Sequence, residues 1–226
     1  MNGLSVIIPS KTDAKFLACA EAVRLNEPEA RIILIDDGMK LDWLPRPDLM
    51  PCLGHRTNQP FNFSRNVNAG IRLAEGDDCV VLNDDALLKT LGGLSLLQRE
   101  AEAHPELGII AATTNSAGNR NQYPMGIGLR EEPRMVCFIC VLIPRRTIDT
   151  VGLLDESFTG YGCEDDDYSL RVRRAGMKLG IHDGCFVDHL SMPSSFRGPA
   201  GAGGDYRPNL EVFKRKWGMD NYGNPA

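Results

Sequence analysis

The chain has 226 residues, of which 42% are hydrophobic and 24% are charged, and its formal net charge is −5. This composition is typical of a single globular domain and excludes a mostly disordered chain. The negative charge argues against a broad surface for nucleic acid or anionic membranes, while leaving room for a local basic patch. No apolar run approaches the roughly 20 residues of a membrane span, and the first residues lack a signal-peptide pattern, so we expect a cytoplasmic protein.

Seven cysteines are scattered along the chain, mostly in apolar runs. An odd number without paired spacing predicts buried free thiols in a reducing compartment. Cys137 and Cys140 form a CxxC motif, but positions three apart face opposite sides of a strand. This geometry favours a core role for both thiols over a shared metal site.

Short apolar runs alternate with amphipathic helices in the first half of the chain. The predicted strands are 4–9, 31–35, 79–82 and 108–113, and the predicted helices are 13–26, 64–75 and 91–104. A β-α-β-α-β-α-β order predicts an α/β fold, with a mostly parallel sheet covered by helices on both faces. The proline-rich stretch 42–60 is predicted to be a loop.

The second half of the chain has a different pattern. A polar, glycine-rich loop is predicted at 115–133 and a strand at 135–144. Further predicted elements are helices at 147–151, 168–175 and 210–217, strands at 178–181 and 185–189, and a loop at 191–208.

Acidic residues follow two of the predicted strands, and a third acidic group precedes a helix. Asp36 and Asp37 end one strand, Asp84 and Asp85 end another, and residues 164–167 form an uninterrupted acidic run. A single acidic pair is more often a solvated surface or a helix cap, and acids at a helix start complement its dipole. Ligands bind at the carboxyl ends of the strands in such sheets, so the repetition at one edge favours a functional site.

Carboxylates at a sheet edge suit a hard divalent cation such as Mg²⁺ or Mn²⁺, which binds oxygen atoms and often substrate phosphates. A cation held by Asp85 could bridge a diphosphate and neutralise it as a leaving group. His189 ends an apolar strand and is the histidine with the most suggestive position, although a lone histidine is more often structural.

Eight short motifs occur in a characteristic order and spacing. They are SVIIP at 5–9, ILIDDG at 33–38, NAGI at 68–71, AEGD at 74–77, VLNDD at 81–85, FTGYGCED at 158–165, VDH at 187–189, and the stretch from Asn209 to Lys216-Trp217-Gly218. Together they resemble family 2 glycosyltransferases with the GT-A (Rossmann-like) fold over nearly the whole chain. The resemblance implies one GT-A domain over 1–226. Within it, 1–114 would bind a nucleotide-diphosphate sugar, 115–190 would form the acceptor side, and 191–226 would be a flexible lid loop and C-terminal helix.

The resemblance also implies a set of donor-binding residues. Pro9 and Ser10 would line the base pocket, and Asp36, with Asp37 beside it, would contact the base. Arg65 and Asn68 of the following helix would approach the base or the diphosphate. The residues matched are Pro9, Ser10, Asp36, Asp37, Arg65 and Asn68.

The matched metal site consists of Asn83-Asp84-Asp85, at the position of the family's DxD motif, and His189 as a second metal contact. Asp85 would hold Mn²⁺ or Mg²⁺, and Asp84 would lie near the ribose or the sugar. Asn83 departs from the family pattern, in which the first position is an Asp.

On the acceptor side, Glu164 and Asp165 match the family's acidic pair. An attacking acceptor hydroxyl needs a base within hydrogen-bond reach. Asp165 is the predicted base, with Asp167 and Glu164 as alternatives. A single base-assisted displacement predicts an inverting transferase.

Two other functions compete with this interpretation. A nucleotidyltransferase would normally have a glycine-rich phosphate loop after the first strand, and residues 9–12 contain no glycine. A degenerate, non-catalytic nucleotide-sugar-binding module is favoured by Asn83, whereas intact Asp85, Asp165 and His189 argue against it.

Fold-level reasoning does not choose substrates. The expected donor bases are uracil, thymine and guanine, with a UDP-sugar first. The expected acceptor is a glycan, a lipid-linked glycan or a small molecule. No particular oligomeric state is predicted.

Overall fold

The computed structural model describes residues 2–39, 51–57, 60–192 and 204–225. Within these ranges the strands are β1 (Leu4–Ser10), β2 (Arg31–Asp36), β3 (Cys52–Arg56), β4 (Asp78–Leu82), β5 (Leu87–Leu88), β6 (Leu107–Thr114), β7 (Leu129–Glu132), β8 (Cys140–Ile143) and β9 (Lys178–Asp188). The helices are α1 (Asp13–Asn26), α2 (Phe63–Leu73), α3 (Gly93–Ala103), α4 (Arg145–Val151), α5 (Glu164–Arg174) and α6 (Arg207–Trp217). None of these helices has the length and apolar character that crossing a membrane requires.

The described strands form one nine-stranded sheet in the order β3-β2-β1-β4-β8-β6-β9-β5, with β7 paired to β9. β1, β2, β3, β4, β6 and β9 run in one direction, and β5, β7 and β8 run in the other. Strands from both halves of the chain therefore share one sheet. The predicted single α/β domain with a mostly parallel sheet is confirmed.

Two apolar layers cover the two faces of the sheet. One layer contains buried side chains of α1 and α3, and the other contains buried side chains of α2, α4 and α5. The strands between them are apolar on both faces because both faces are covered, as β1 and β2 show. The predicted placement of helices on both faces is confirmed.

The carboxyl ends of the parallel strands meet at one edge. Ser10 at the end of β1 is in register with Asp36 at the end of β2. Leu82 at the end of β4 is opposite Cys140, and Thr114 near the end of β6 is beside Val187 of β9. The polar residues that follow these strands are thereby brought to the same side of the molecule.

Two strands lie in segments predicted to be loops, so those predictions are wrong there. β3 lies within 42–60, and β7 lies within 115–133. Four of the five residues of β3 are exposed, so it lacks the apolar pattern that marks a buried strand. Backbone pairing to a neighbour holds each of these strands instead. Residues 42–50, 58 and 59 of the predicted loop lie outside the described residues.

Other boundaries differ for identifiable reasons. The predicted strand at 135–144 is reduced to Cys140–Ile143, because residues 135–139 owe their apolar character to burial outside the sheet. The two predicted strands at 178–181 and 185–189 are one strand, β9, with a register shift against β6 after His182. The helix predicted from 168 begins at Glu164, so the acidic run is its first turn. Residues 193–203 of the predicted lid loop lie outside the described residues.

The seven cysteines are free thiols, and five of them are buried. Burial raises the pKa of Cys79 to about 12 and removes it from thiolate chemistry at neutral pH. The interpretation of the buried thiols as core residues is thus consistent with their surroundings.

The contact between α2 and β1 provides a test of the packing. A Cβ added at Gly70 would overlap the fully buried side chain of Ile7. Overpacking costs about 1–3 kcal/mol, and the gain in helix propensity recovers up to about 1 kcal/mol. We therefore expect Gly70→Ala to lower the free energy of unfolding by about 1–2 kcal/mol in a urea titration. Arg72→Ala, at an exposed position of the same helix, should change it by less than about 0.5 kcal/mol; equal effects of the two variants would contradict this packing.

Candidate functional site

The segment after β4 places two carboxylates at the carboxyl edge of the sheet. Asn83 continues the pairing of β4 by donating its N–H to the Ile139 carbonyl at 2.9 Å. Asp84 and Asp85 follow and are both buried. The Ser10 hydroxyl donates to Asp84 Oδ2 at 2.6 Å. Burial raises the pKa of Asp84, and this effect outweighs the hydrogen bond from Ser10, which lowers it.

His189 lies beside Asp85, as the sequence predicts for a shared ligand site. Its Nδ1 lies 2.8 Å from the Ser116 carbonyl oxygen, and its Nε2 lies 3.1 Å from Asp85 Oδ1. A carbonyl oxygen can only accept, so Nδ1 carries a proton. In a neutral ring the Nε2 lone pair then faces a carboxylate oxygen. Two acceptors at this distance repel each other unless a proton or a cation lies between them.

A cavity of about 330 Å³ joins this sheet edge to the start of α5. One side, here called the strand-end wall, is formed by Pro9, Asn83, Asp84, Asp85 and His189. Another part of the lining, here called the α5 wall, is formed by residues 160–166. The cavity is large enough for part of a small ligand and presents carboxylates from both sides.

The α5 wall holds the predicted base. Glu164 and Asp165 are half-buried in the first turn of α5, which begins after Cys163 with a φ of 70°. Burial raises the pKa of Asp165 well above its ordinary value, and the negative charges of Asp166 and Glu164 raise it further. Burial also raises the pKa of Glu164 to about 7. Its Oε2 is buried and has no hydrogen-bond partner among the described residues.

The last two acids of the run have other partners. Asp166 accepts from Arg134 Nη1 at 3.0 Å and from Asn221 Nδ2 at 3.1 Å. Asp167 is buried outside the cavity. The groups around its carboxylate are Arg171 Nε at 3.1 Å, Lys216 Nζ at 2.8 Å and Trp217 Nε1 at 2.9 Å. Asp167, an alternative base in the sequence analysis, is therefore placed as an anchor between α5 and α6 and does not reach the cavity.

Pro9 is the member of the predicted donor-binding set that lines the cavity directly, and Ser10 reaches it through Asp84. Asp36 is buried beneath its own loop. Its Oδ1 accepts from the Gly38 and Met39 amides at 3.0 and 2.7 Å, and its Oδ2 accepts from Arg56 Nε at 2.7 Å. Burial alone would raise the pKa of Asp36, but these three donors together hold it below its ordinary value.

The other three members also make contacts elsewhere. Asp37 accepts from the Thr57 hydroxyl at 2.7 Å. Asn68 is bonded to both backbone groups of Leu154 at 2.9 Å, so it fixes the segment before α5. Arg65 donates to the Pro60 carbonyl. None of Asp36, Asp37, Arg65 and Asn68 lines the cavity, and the polar atoms of these residues bond to backbone groups or side chains elsewhere.

Four cavity or support residues had no role in the sequence analysis: Arg134, Asn209, Asn221 and Tyr222. Arg134 and the C-terminal segment enclose Asp166, and the Arg134 guanidinium carbon lies 5.1 Å from the centre of the Tyr222 ring. Asn209 of α6 is buried, accepts from the Gly160 amide at 3.3 Å and donates to the Gly162 carbonyl at 2.7 Å. It therefore sets the turn that forms the α5 wall. Asn209 begins one of the motifs that indicated the family, but no local sequence pattern shows that it bonds Gly160 and Gly162.

In the described part of the chain, no three His, Cys, Asp or Glu side chains converge as a metal-ion site. Asp85 and His189 offer two donors. This number fits a cation that completes its coordination with substrate phosphates and water. A metal-bound histidine usually donates its second ring N–H to a carbonyl or carboxylate, as His189 does to Ser116. The donor set therefore suits Mg²⁺ or Mn²⁺ bound together with a diphosphate.

The sequence profile of Glycosyl transferase family 2 matches residues 5–152, which is more than half of the chain. The chain belongs to glycosyl transferase family 2. The match covers β1 to the end of α4, and therefore includes most of the strand-end wall. The resemblance stated from the sequence motifs is confirmed.

Solved glycosyltransferase structures share the fold of this family 2 chain. A crystal structure of GalNAc-T7 with UDP, GalNAc and Mn²⁺ aligns with a TM-score of 0.67 and 14% identity, over 84% of this chain and 44% of that one. Residues 1–349 of TarS from S. aureus align with a TM-score of 0.62 and 11% identity, over 81% of this chain and 60% of that one. At such identities the likeness concerns the fold alone. The predicted GT-A fold is confirmed.

Two curated relatives are similar in sequence to this family 2 chain. "Uncharacterized protein y4gI" of Sinorhizobium fredii (strain NBRC 101917 / NGR234) is 24% identical over 99% of this chain. Human beta-1,4-galactosyltransferase 3 is 31% identical over 126 residues, or 54% of this chain. The chain spans 28% of the length of each of these proteins.

Asp165 and Asp167 offer a matched test of the site's electrostatics. A carboxyl whose pKa is raised by folding destabilises the folded state once the pH exceeds its ordinary pKa of about 4, and the penalty grows up to the raised value. We therefore expect Asp165→Asn to raise the free energy of unfolding by about 0.5–2 kcal/mol at pH 8 and by less at pH 5. The melting temperature should rise accordingly. Asp167→Asn should instead lower the free energy of unfolding by about 3 kcal/mol, because Arg171 and Lys216 would lose the buried carboxylate that pairs with them.

Calorimetric melting at both pH values checks this pair of variants. If Asp165→Asn lowers the melting temperature, or raises it equally at pH 5 and pH 8, then folding does not raise the pKa of Asp165.

Proposed function

We propose that this protein is a metal-dependent, inverting glycosyltransferase, which moves a sugar from a nucleotide-diphosphate donor to an acceptor hydroxyl. One observation carries the proposal: Asp85 and His189 face each other at 3.1 Å in a cavity whose lining also includes Asp165. A cation site and a carboxylate base in one cavity suit a displacement reaction, which needs both a stabilised leaving group and an activated nucleophile.

On the strand-end wall, Asp85 and His189 would hold Mn²⁺ or Mg²⁺. When bound, the cation neutralises negative charge on the diphosphate and so improves it as a leaving group. Asp84, held by Ser10 at 2.6 Å, is in position to orient the ribose or the sugar by hydrogen bonds. Asn83 contributes a neutral amide where a third carboxylate would add charge, which leaves Asp85 as the anionic ligand of this segment.

On the α5 wall, Asp165 would accept the proton of the acceptor hydroxyl. Its Oδ1 accepts from the Asp166 amide at 2.9 Å, and no donor among the described residues reaches its Oδ2. The acceptor oxygen forms a bond to the anomeric carbon while the bond from that carbon to the diphosphate oxygen breaks. The electron pair leaves with the nucleotide diphosphate, and the proton goes to the Asp165 carboxylate. One such displacement inverts the anomeric centre.

The raised pKa of Asp165 suits this role, because a carboxylate with a pKa nearer to neutral is a stronger base. The structure around Asp165 reduces the cost of its charge without removing it. Asp166 next to it is balanced by Arg134 and Asn221, so the cluster carries less negative charge than its four acids suggest.

The donor proposed is a UDP-sugar. GalNAc-T7, which shares the fold, was crystallised with UDP, GalNAc and Mn²⁺, and human beta-1,4-galactosyltransferase 3 is similar to about half of the chain. The proposed acceptor is a glycan, a lipid-linked glycan or a small molecule. Membership of glycosyl transferase family 2 favours glycosyl transfer over nucleotidyl transfer.

Binding of UDP tests the donor half of the proposal. We expect UDP to raise the melting temperature of the wild-type protein much more with Mn²⁺ than with EDTA, because a ligand that binds only the folded state stabilises it. Asp85→Asn should weaken Mn²⁺-dependent UDP binding by at least the roughly 10–100-fold that loss of an outer-shell partner costs. Asp149→Asn, at an exposed position on α4, is the control and should bind like the wild type.

Equal stabilisation by UDP with Mn²⁺ and with EDTA would exclude the assigned metal site. A panel of ADP, GDP, dTDP and UDP in the same assay identifies the base.

Turnover tests the acceptor half. We expect Asp165→Asn to lower the rate of sugar transfer by about 10²–10⁴-fold, with unchanged binding of UDP and Mn²⁺. In the wild type, log kcat/KM should rise with pH until Asp165 is deprotonated, with the bend above the ordinary carboxyl pKa of about 4. The anomeric configuration of the product, measured by NMR, should be opposite to that of the donor.

If the Asp165→Asn variant transfers sugar at the wild-type rate, Asp165 is not the base. Retention of configuration would exclude the single displacement. A protein that binds UDP-sugars and neither hydrolyses nor transfers any of them would instead be the non-catalytic binding module.

A further inference from the structure

A second cavity of about 300 Å³ extends along α5, away from the sheet edge. It lies between α5, the segment before β8 and the C-terminal segment after α6, and is here called the α5 groove. Its lining residues are Pro133, Arg134, Met135, Asp166, Leu170, Arg173, Phe213 and residues 219–223.

The α5 groove borders the main cavity. Five residues line both spaces: Arg134, Met135, Asp166, Asn221 and Tyr222. Asp166 follows Asp165 in the chain, and neither Asp85 nor His189 is among the shared residues. The groove therefore meets the main cavity on the α5 side, so an acceptor held at Asp165 would have the groove beside it.

The acidic and basic side chains of the groove differ in how far they already have partners. Asp220 is fully engaged in its own turn, where its carboxylate accepts from the Tyr222 amide and from the amide and side chain of Asn224, each at 2.9 Å. Asp166 is held by Arg134 and Asn221. The acids of the groove are thus already paired.

Arg173 is different. It is exposed on the far part of α5, and no carboxylate among the described residues lies within ion-pair distance of it. Its hydrogen bond in the described structure is from Nη1 to the Arg134 carbonyl at 3.4 Å, so Nε and Nη2 remain available as donors. Arg134 uses Nη1 for Asp166 and the Asn221 carbonyl. The groove therefore offers guanidinium donors to an anion.

Apolar side chains form the rest of the surface. Leu170, Phe213, Met219 and Tyr222 lie along the groove, and Tyr222 is 70% exposed. Aromatic and aliphatic walls with a few charged donors suit a sugar ring, which presents C–H faces and polar edges. The groove is thus chemically distinct from the acidic main cavity.

We propose that the α5 groove is a second acceptor subsite, which binds an oxyanion on the second sugar of the acceptor through Arg173 and Arg134. Asp166 and Arg173 are seven residues apart on one helix, or about 10 Å at 1.5 Å per residue. An anion held at Arg173 would therefore lie beyond the attacked sugar, further along α5. The inference rests on the proposed function. A carboxylate and a phosphate monoester present the same oxyanion chemistry to arginine.

Three acceptor probes test the subsite. They are β-1,4-linked diglucosides that differ at C6 of the reducing-end ring, which carries a hydroxymethyl group, a carboxylate or a phosphate monoester. Each is titrated calorimetrically into the full chain preloaded with UDP and Mn²⁺. We expect at least one acidic disaccharide to bind about tenfold more tightly than the neutral one, as a charge-assisted contact provides. The stronger of the two acidic probes identifies the anion.

Variants of Arg173 assign the effect to the groove. Arg173→Gln should abolish the preference for the acidic probe and leave binding of the neutral probe unchanged, and Arg173→Lys should restore part of it. Arg99→Gln removes one exposed arginine from α3, outside both cavities, and should keep the full preference. Melting temperatures of all three variants should match the wild type.

Equal affinity for neutral and acidic probes, no binding by either acidic probe, or an Arg173→Gln variant that keeps the preference would each overturn the inference. The preloading step separates this failure from failure of the proposed function. If UDP does not bind with Mn²⁺, the donor site is wrong; if UDP binds and the preference is absent, only the subsite is wrong.

Discussion

Carboxylates from two distant parts of the chain share one half-enclosed cavity, and the arrangement around it follows from the cost of holding them there. Clustered negative charges removed from water raise one another's pKa and oppose folding. At the strand-end wall, the Ser10 hydroxyl offsets part of this cost for Asp84. At the α5 wall, the cluster lies at a helix N-terminus, where the helix dipole favours negative charge. The imbalance that remains raises the pKa of Asp165.

The acidic run at 164–167 shows how one sequence feature separates into different roles. Successive residues of a helix are rotated by about 100°, so four adjacent acids cannot face the same surroundings. Glu164 and Asp165 face the cavity, Asp166 faces Arg134 and Asn221, and Asp167 faces α6. The two central acids are chemically identical and adjacent, yet Asp166 is paired with a guanidinium and Asp165 has no cationic partner among the described residues.

The segments that follow the sheet complete the site from the acceptor side. α6 is joined to α5 by Lys216, which lies 2.6 Å from Asp155 and 2.8 Å from Asp167. The same helix carries Asn209, which holds the turn at residues 160–162. The C-terminal segment then returns to Arg134 and borders the α5 groove. The proposed donor side is thus built into the sheet, whereas the proposed acceptor side is assembled from separate segments outside it, and segments of that kind vary most readily between relatives.

The sequence alone determined the sheet and most of its helices, because buried strands and amphipathic helices have apolar periodicities that local residues display. It also placed Asp85, His189 and Asp165, since strand ends and helix starts meet at one edge of an α/β sheet. It missed β3, which is mostly exposed, and β7, which is largely polar, because backbone pairing holds both strands without an apolar pattern. Only the tertiary structure decided which polar residues face the cavity. Asp36 and Asn68 have the right chemistry for ligand binding, but Asp36 is bonded by amides of its own loop and Asn68 by the backbone of Leu154. Arg134, Asn209 and Asn221 reach the site through contacts distant in sequence, and no local pattern records such partners.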